Sequence, residues 1–199
     1  MKNLKPTLVL TLITAIMVSL LIVTYNITYV DTSSVITANL EQCCNEALGG
    51  EGYYIVTDWQ EEGYAIAKPD NVNKMIKNSN GDIALEVVVN GYAKNGIDVL
   101  VAMNSDGTVK AVSVVSLSET PGLGSKVDSD SFLSQFVGVS SAKLSGGNSG
   151  GFYKGEPKTD DNPNAAEIDA VTSATYSSKG VIEAVNIAVS VYAELGGAK

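Results

Sequence analysis

Between Lys5 and Asp31 the chain runs for twenty-five residues without a charge. Within it, Thr7 to Val30 (TLVLTLITAIMVSLLIVTYNITYV) consists largely of Leu, Ile, Val, Ala and Thr. At about 1.5 Å of rise per residue, a helix of this length crosses the roughly 30 Å of hydrocarbon in a bilayer. The alternative is a cleaved signal peptide, whose apolar region is roughly 7–15 residues long and ends in a small-residue cleavage site. Here the run closes on Tyr25-Asn26-Ile27-Thr28-Tyr29-Val30, and the two tyrosines suit a membrane interface. The expectation is a retained single-pass anchor in the lipid bilayer.

Charge sets the expected orientation. Lys2 and Lys5 precede the span, while the other eleven lysines and all twenty-two acidic residues follow it. The positive-inside rule keeps the N-terminus in the cytoplasm and places the rest outside the plasma membrane. The organisation expected is therefore an N-terminus and anchor over 1–30, a membrane-proximal helix over 31–51, and one extracytoplasmic domain over 52–199. About 170 exported residues are enough for a core of their own.

The side chains that are missing narrow the chemistry. There is no histidine, all thirteen basic residues are lysine, and the only cysteines are the adjacent Cys43 and Cys44. No Ser-His-Asp or Cys-His nucleophile can be assembled without an imidazole. Zinc, haem and iron–sulfur sites lose their usual ligands, so no metal site and no catalytic side-chain set are expected. A net charge of −9 opposes nucleic-acid binding. Chemistry, if present, comes from something bound.

The exported part reads as α+β. Val35, Ile36, Leu40, Cys43, Cys44, Ala47 and Leu48 recur at helical spacing, which makes the cysteines small apolar residues of a buried stripe. Strands are expected at 53–59, 64–68, 85–89, 97–103 and 109–117, with Asn104-Ser105-Asp106-Gly107 turning the last pair into a hairpin. The stretch 69–82 reads as polar and turn-rich around a short helix. Both faces of 109–117 are partly apolar, which predicts a central strand. A short amphipathic helix is expected at 132–137, loop at 140–170, and a final helix from about Ser178 to Leu195. Val181, Ile182, Val185, Ala188, Val189, Tyr192 and Leu195 form the apolar face of that last helix.

Two segments carry chemistry. Thr172-Ser173-Ala174-Thr175-Tyr176-Ser177-Ser178 places five Ser and Thr hydroxyls where the chain enters the last helix. A helix start offers unpaired N–H groups to an anion, although a single N-capping Ser177 or Ser178 would explain one of those hydroxyls. The second segment is Glu119-Thr120-Pro121-Gly122-Leu123-Gly124-Ser125-Lys126. Pro121 stiffens a turn, Gly122 and Gly124 allow close backbone approach, and Leu123 can pack on a planar ring. Gly122-Leu123-Gly124-Ser125-Lys126-Val127 fits neither the dinucleotide fingerprint nor the Walker pattern.

The first segment resembles the S/T-G-A-T-x-[ST] motif of FMN-binding domains, and the second resembles their E-T-P-G-L-G loop. Together with an N-terminal anchor they resemble the G subunit of Rnf-type ferredoxin:NAD⁺ oxidoreductases, related to the C subunit of Na⁺-translocating NADH:quinone oxidoreductases. The resemblance implies one FMN-binding domain with a mainly antiparallel sheet and a C-terminal helix, and FMN esterified through its phosphate to Thr175. It implies a flavin site that includes Thr172, Ser173, Ala174, Ser177, Ser178, Glu119, Thr120, Gly122, Leu123, Gly124 and Lys126. It also implies maturation by a flavin transferase and integral-membrane partner subunits of a redox-driven ion pump. Ser173 departs from the family glycine, which matters if the position needs φ > 0. Two further readings stay open: a membrane-tethered assembly module that carries no flavin, and a stand-alone extracellular flavin reductase or carrier.

Overall fold

The computed structural model describes residues 4–28, 35–49, 52–138 and 168–196. The chain divides into two compact units, 1–34 and 35–199. The first is helix α1, Leu4–Thr28, which holds an 18-residue window with a mean hydropathy of 2.5. Its polar side chains are neutralised locally. Thr11, Thr14, Ser19 and Thr24 donate to carbonyls three or four residues back, and Thr28 donates to the Thr24 carbonyl. Such back-bonding satisfies hydroxyls that an apolar environment would otherwise leave without a partner.

The second unit is a five-stranded antiparallel meander in the order β1 to β5: β1 Tyr53–Val56, β2 Val72–Asn78, β3 Ile83–Val89, β4 Ile97–Met103 and β5 Val109–Leu117. Leu85 faces Val101 and Val99 faces Val114 across the ladders. The β4–β5 hairpin forms as its turn residues demand, with Gly107 at φ +83° donating to the Asn104 carbonyl. Helix α4, Thr175–Glu194, lies over one face of β3 and β4 with every residue of its expected apolar stripe buried. Tyr192 Oη donates to the Asn104 carbonyl at 2.9 Å and ties the far end of α4 to the hairpin.

The other face is covered by a shorter element, helix α2 Ala38–Cys44, which continues as a π-type turn over Asn45–Gly49. Thr37 caps it, and Leu40, Cys43, Cys44, Ala47 and Leu48 are buried against Ile76, Ala84, Leu100, Ala102 and Val115. Both cysteines are free thiols, pushed up by burial to about 11 at Cys43 and about 12 at Cys44.

Four expectations need correction. Residues 72–78 form a strand rather than a short helix. A bulge at Asn73 puts Val72 and Met75 on one face, so a strand acquired the three-residue spacing of a helix. Residues 64–68 form no strand pairing among the described residues: the turn at Gln60–Gly63 folds back through Tyr64 N–H to the Trp59 carbonyl, and Pro69 follows. Among the described residues β5 is an edge strand, packed by α2 on one face and by the 124–136 segment on the other rather than by neighbours on both sides. The expected helix at 132–137 is α3, Asp130–Leu133, followed by a 3₁₀ turn at Ser134–Phe136. The loop expected over 140–170 lies, up to residue 167, outside the described residues.

Candidate functional site

Three chain segments meet at one end of the sheet: the β3–β4 turn at 90–96, the loop that follows β5, and the start of α4. Ser118 N–H donates to the Gly96 carbonyl at 2.7 Å, which brings the first two together. The next residue joins all three. Glu119 is 8 % exposed, and its Oε1 accepts from Ala93 N–H at 3.0 Å. Its Oε2 accepts from Tyr92 N–H at 3.2 Å and from the Ser177 hydroxyl at 2.5 Å. Burial alone would raise this carboxyl, but the hydrogen bonds from Ser177, Ala93 and Tyr92 outweigh it and hold it below its ordinary 4.5. The group is therefore ionised at neutral pH. Its stabilising contribution is complete there and is lost as pH falls below the ordinary glutamate value through the lowered one.

The loop's glycines serve this packing. A Cβ on Gly124 would lie 2.7 Å from Ser177 Oγ and 2.8 Å from Glu119 Oε2. Only glycine lets the loop lie this close to α4. Gly122, at φ +76°, closes the preceding turn, and its N–H donates to Ser125 Oγ at 2.8 Å.

The hydroxyl-rich segment is held from behind. Gln135 clamps the backbone of Asp169, its Nε2 donating to the carbonyl at 3.1 Å and its Oε1 accepting the N–H at 2.8 Å. Ser178, fully buried, accepts from Val171 N–H at 3.1 Å. The chain then turns, with Ala174 N–H to the Val171 carbonyl, and α4 begins at Thr175, three residues earlier than the expected Ser178. The N-cap is Ala174, which has no capping side chain, so neither Ser177 nor Ser178 caps the helix. Their hydroxyls are engaged inside the protein instead. Among the described residues, the amides of Thr175, Tyr176 and Ser177 have no acceptor. The Thr172, Ser173, Thr175 and Tyr176 side chains are exposed. Ser173 sits at φ +65°, the left-handed region that glycine adopts freely.

A groove of about 390 Å³ opens between these segments, lined by Tyr92, Glu119, Thr120, Leu123, Gly124 and the run Ser173–Ser177. Two motifs some fifty residues apart in sequence thus share one surface. Thr172 and Lys126 line a neighbouring groove of about 600 Å³ with Phe132 and Gln135. Tyr92, Tyr176 and Gln135 were not foreseen. Tyr92 and Tyr176 stand on the rim, 78 % and 68 % exposed, with rings edge to face at 6.4 Å. A tyrosine beside Gly91 in a polar turn was the available signal for Tyr92. For Gln135 there was none, because its partner is a backbone 34 residues away.

Chemically, the groove combines a solvent-facing threonine hydroxyl, free amides at the positive end of a twenty-residue helix, and apolar or aromatic side chains at the rim. That set suits a phosphate ester with a planar ring attached. Residues 91–190 match the FMN-binding domain. The chain is 32 % identical over 135 residues to the G subunit of the Na(+)-translocating ferredoxin:NAD(+) oxidoreductase complex of Acetobacterium woodii, covering 65 % of this chain and 60 % of that one. It is 36 % identical over 109 residues to the G subunit of the proton-translocating ferredoxin:NAD(+) oxidoreductase complex of Clostridium ljungdahlii, covering 55 % and 52 %. It therefore spans somewhat more than half the length of these relatives. The fold is similar to that of the C subunit of the Na(+)-translocating NADH-quinone reductase of Parabacteroides distasonis, at a TM-score of 0.50 and 19 % identity over 79 % of this chain and 82 % of that one. With the motif residues inside the matched region and most of them on one groove, the chain belongs to the FMN-binding domain family.

Proposed function

We propose that this chain is the membrane-anchored electron-transfer flavoprotein of an ion-translocating ferredoxin:NAD⁺ oxidoreductase complex, its G subunit. Its FMN is held as a phosphoester on Thr175. The observation that carries the reading is the position of Thr175: its exposed hydroxyl opens the first turn of α4, beside three unpartnered amides and across a groove from the 119–126 loop. Names of relatives support the complex, and the apolar α1 supports the membrane. The ferredoxin and NAD⁺ chemistry, the partner subunits, the plasma-membrane location and a cytoplasmic N-terminus belong to the same proposal. So does a flavin transferase that installs the ester.

Bound FMN supplies the electron transfer, and the protein supplies position and field. The amides of Thr175, Tyr176 and Ser177 would stabilise the one negative charge that a phosphodiester retains. Leu123, 47 % exposed on the loop, offers an apolar surface to the ring. Glu119 acts through others: by holding the 92–93 backbone and Ser177 it fixes the width of the groove. With both oxygens occupied, it is a brace rather than an open acceptor for the flavin edge. The serine at 173 favours a flavin-free module only weakly. A left-handed non-glycine residue costs roughly 1–2 kcal/mol, small against the packing that holds the turn.

The test is the intact mass of the purified full-length chain. A gain equal to FMN minus water is expected. Thr175→Ala should lose the added mass and the fluorescent band in a denaturing gel, while the melting temperature stays unchanged. Retained fluorescence in that variant would sink the assignment.

A further inference from the structure

The two edges of the sheet are treated differently. β1 is four residues long, and short edge strands resist unwanted pairing. β5 is nine residues long, contains no proline, and has Lys110 as its only charge. Lys110 does not guard the edge, because its Nζ is 2.8 Å from Asp82 in an ion pair. The run AVSVVSL that follows is rich in β-branched residues and would be an aggregation hazard if left open.

A groove of about 650 Å³ runs along this edge. All seven residues from Ala111 to Leu117 line it. Successive side chains of a strand point to opposite faces, so seven consecutive residues can line one groove only through their backbone edge. Its walls come from the two sides of the sheet. One is α2 and the turn after it, through Gln42, Cys43 and Glu46, and the other is the 128–137 segment.

The free backbone groups can be identified. Val114 carbonyl accepts from Cys43 Sγ at 3.8 Å, so it points away from β4, and in an antiparallel ladder its own N–H points the same way. Val112, two residues earlier, has the same orientation. Among the described residues, neither N–H has an acceptor. The chain already adds to this edge once, where Gly138 N–H donates to the Val109 carbonyl at 2.8 Å.

We propose that the free edge of β5 docks an extended segment of another polypeptide, bearing lysine or arginine, which joins the sheet as a further strand. Main-chain hydrogen bonds to Val112 and Val114 supply the pairing, as in other strand-addition interfaces. Charge selects the occupant. Glu46, Asp128 and Asp130 stand on the walls, and among the described residues no lysine lines the groove. A second copy of a chain with net charge −9 is the wrong partner for such walls.

The test uses the full-length chain in detergent and a labelled, short Lys/Val/Thr-alternating peptide, with its Glu-for-Lys counterpart as control. Two readouts are taken: peptide anisotropy, and hydrogen exchange at the Val112 and Val114 amides. The basic peptide should bind at least about tenfold more tightly than the acidic one and slow both amides by about tenfold or more. Val114→Pro, which removes an outward donor, should abolish binding. Should that variant not fold, Glu46→Lys with Asp130→Lys on the exposed walls should still weaken binding by about tenfold. Equal binding of the two peptides would overturn the proposal. So would amides already protected in the dilute free chain, meaning that its own residues fill the groove. Protection that grows with protein concentration would overturn it in favour of a second copy.

Discussion

The two faces of the central sheet are built on different terms. Under α4, the residues Ile83, Leu85, Val87, Val89, Ile97, Val99, Val101 and Met103 are apolar without exception and nearly or fully buried. Under α2, the same two strands present Ala84, Glu86, Asp98, Leu100 and Ala102. There Lys74 Nζ pairs with Glu86 at 2.9 Å, and Asp98 Oδ1 is buried with no hydrogen-bond partner among the described residues. A twenty-residue helix covers the first face and a seven-residue helix with one further turn covers the second. The long helix fixes the hydroxyl-rich segment, whose second half is its own first turn. The short one leaves charges partly dehydrated and a strand edge open, so that face is suited to titration and docking rather than to rigidity.

The comparison can be broken most forcefully at Leu85. Leu85→Ala opens a cavity beneath α4 and should cost about 2–5 kcal/mol at every pH, measured by denaturant unfolding. A loss that varied with pH would mean the apolar face is coupled to the charged one. Asp98→Asn should act in the opposite direction. Burial and the neighbouring Glu86 push this carboxyl up to about 7 from 3.8, so ionisation is penalised in the folded state. The fold therefore loses stability as pH rises from about 4 through 7, and the asparagine variant avoids that loss. A gain of about 1–2 kcal/mol is expected at pH 8 and almost none at pH 4. A gain of the same size at both would show packing, not charge, to be the cause.

The smallest effect belongs to the turn that precedes α4. Ser173→Gly removes a left-handed non-glycine residue and should stabilise by about 1 kcal/mol, a rise of roughly 2–4 °C in Tm for a domain of this size. Covalent loading by a purified flavin transferase should be faster as well. If loading is unchanged while stability rises, the turn's strain is irrelevant to recognition by the transferase.

Legibility in the sequence followed the range of the interactions. β4, β5 and their hairpin were readable because alternation and Asn-Ser-Asp-Gly are local signals. The buried stripe of α4 was readable for the same reason. β2 was misread because one bulge shifted Val72 against Met75, and bulges are set by the partner strand. The start of α4 was misplaced because hydroxyls at 177 and 178 suggested caps, whereas both reach distant partners, Glu119 and the Val171 N–H. Both motif segments were identified. Their junction through one carboxylate was not, since it depends on Tyr92 and Ala93 in a turn that carried no motif.

By itself, the sequence determined the span, the acidic balance beyond it, and the residue types available for chemistry: lysine without arginine, hydroxyls without histidine. These are properties of composition and spacing, and folding cannot alter them. Tertiary structure decided which hydroxyl faces solvent. It sent Ser177 and Ser178 inward and left Thr175 outward at a helix start, because the helix's first turn is set by the packing of Gly124 and Glu119 against it. It also decided that β5 is the edge of the sheet among the described residues, a property set by what lies beside the strand rather than by any residue of it.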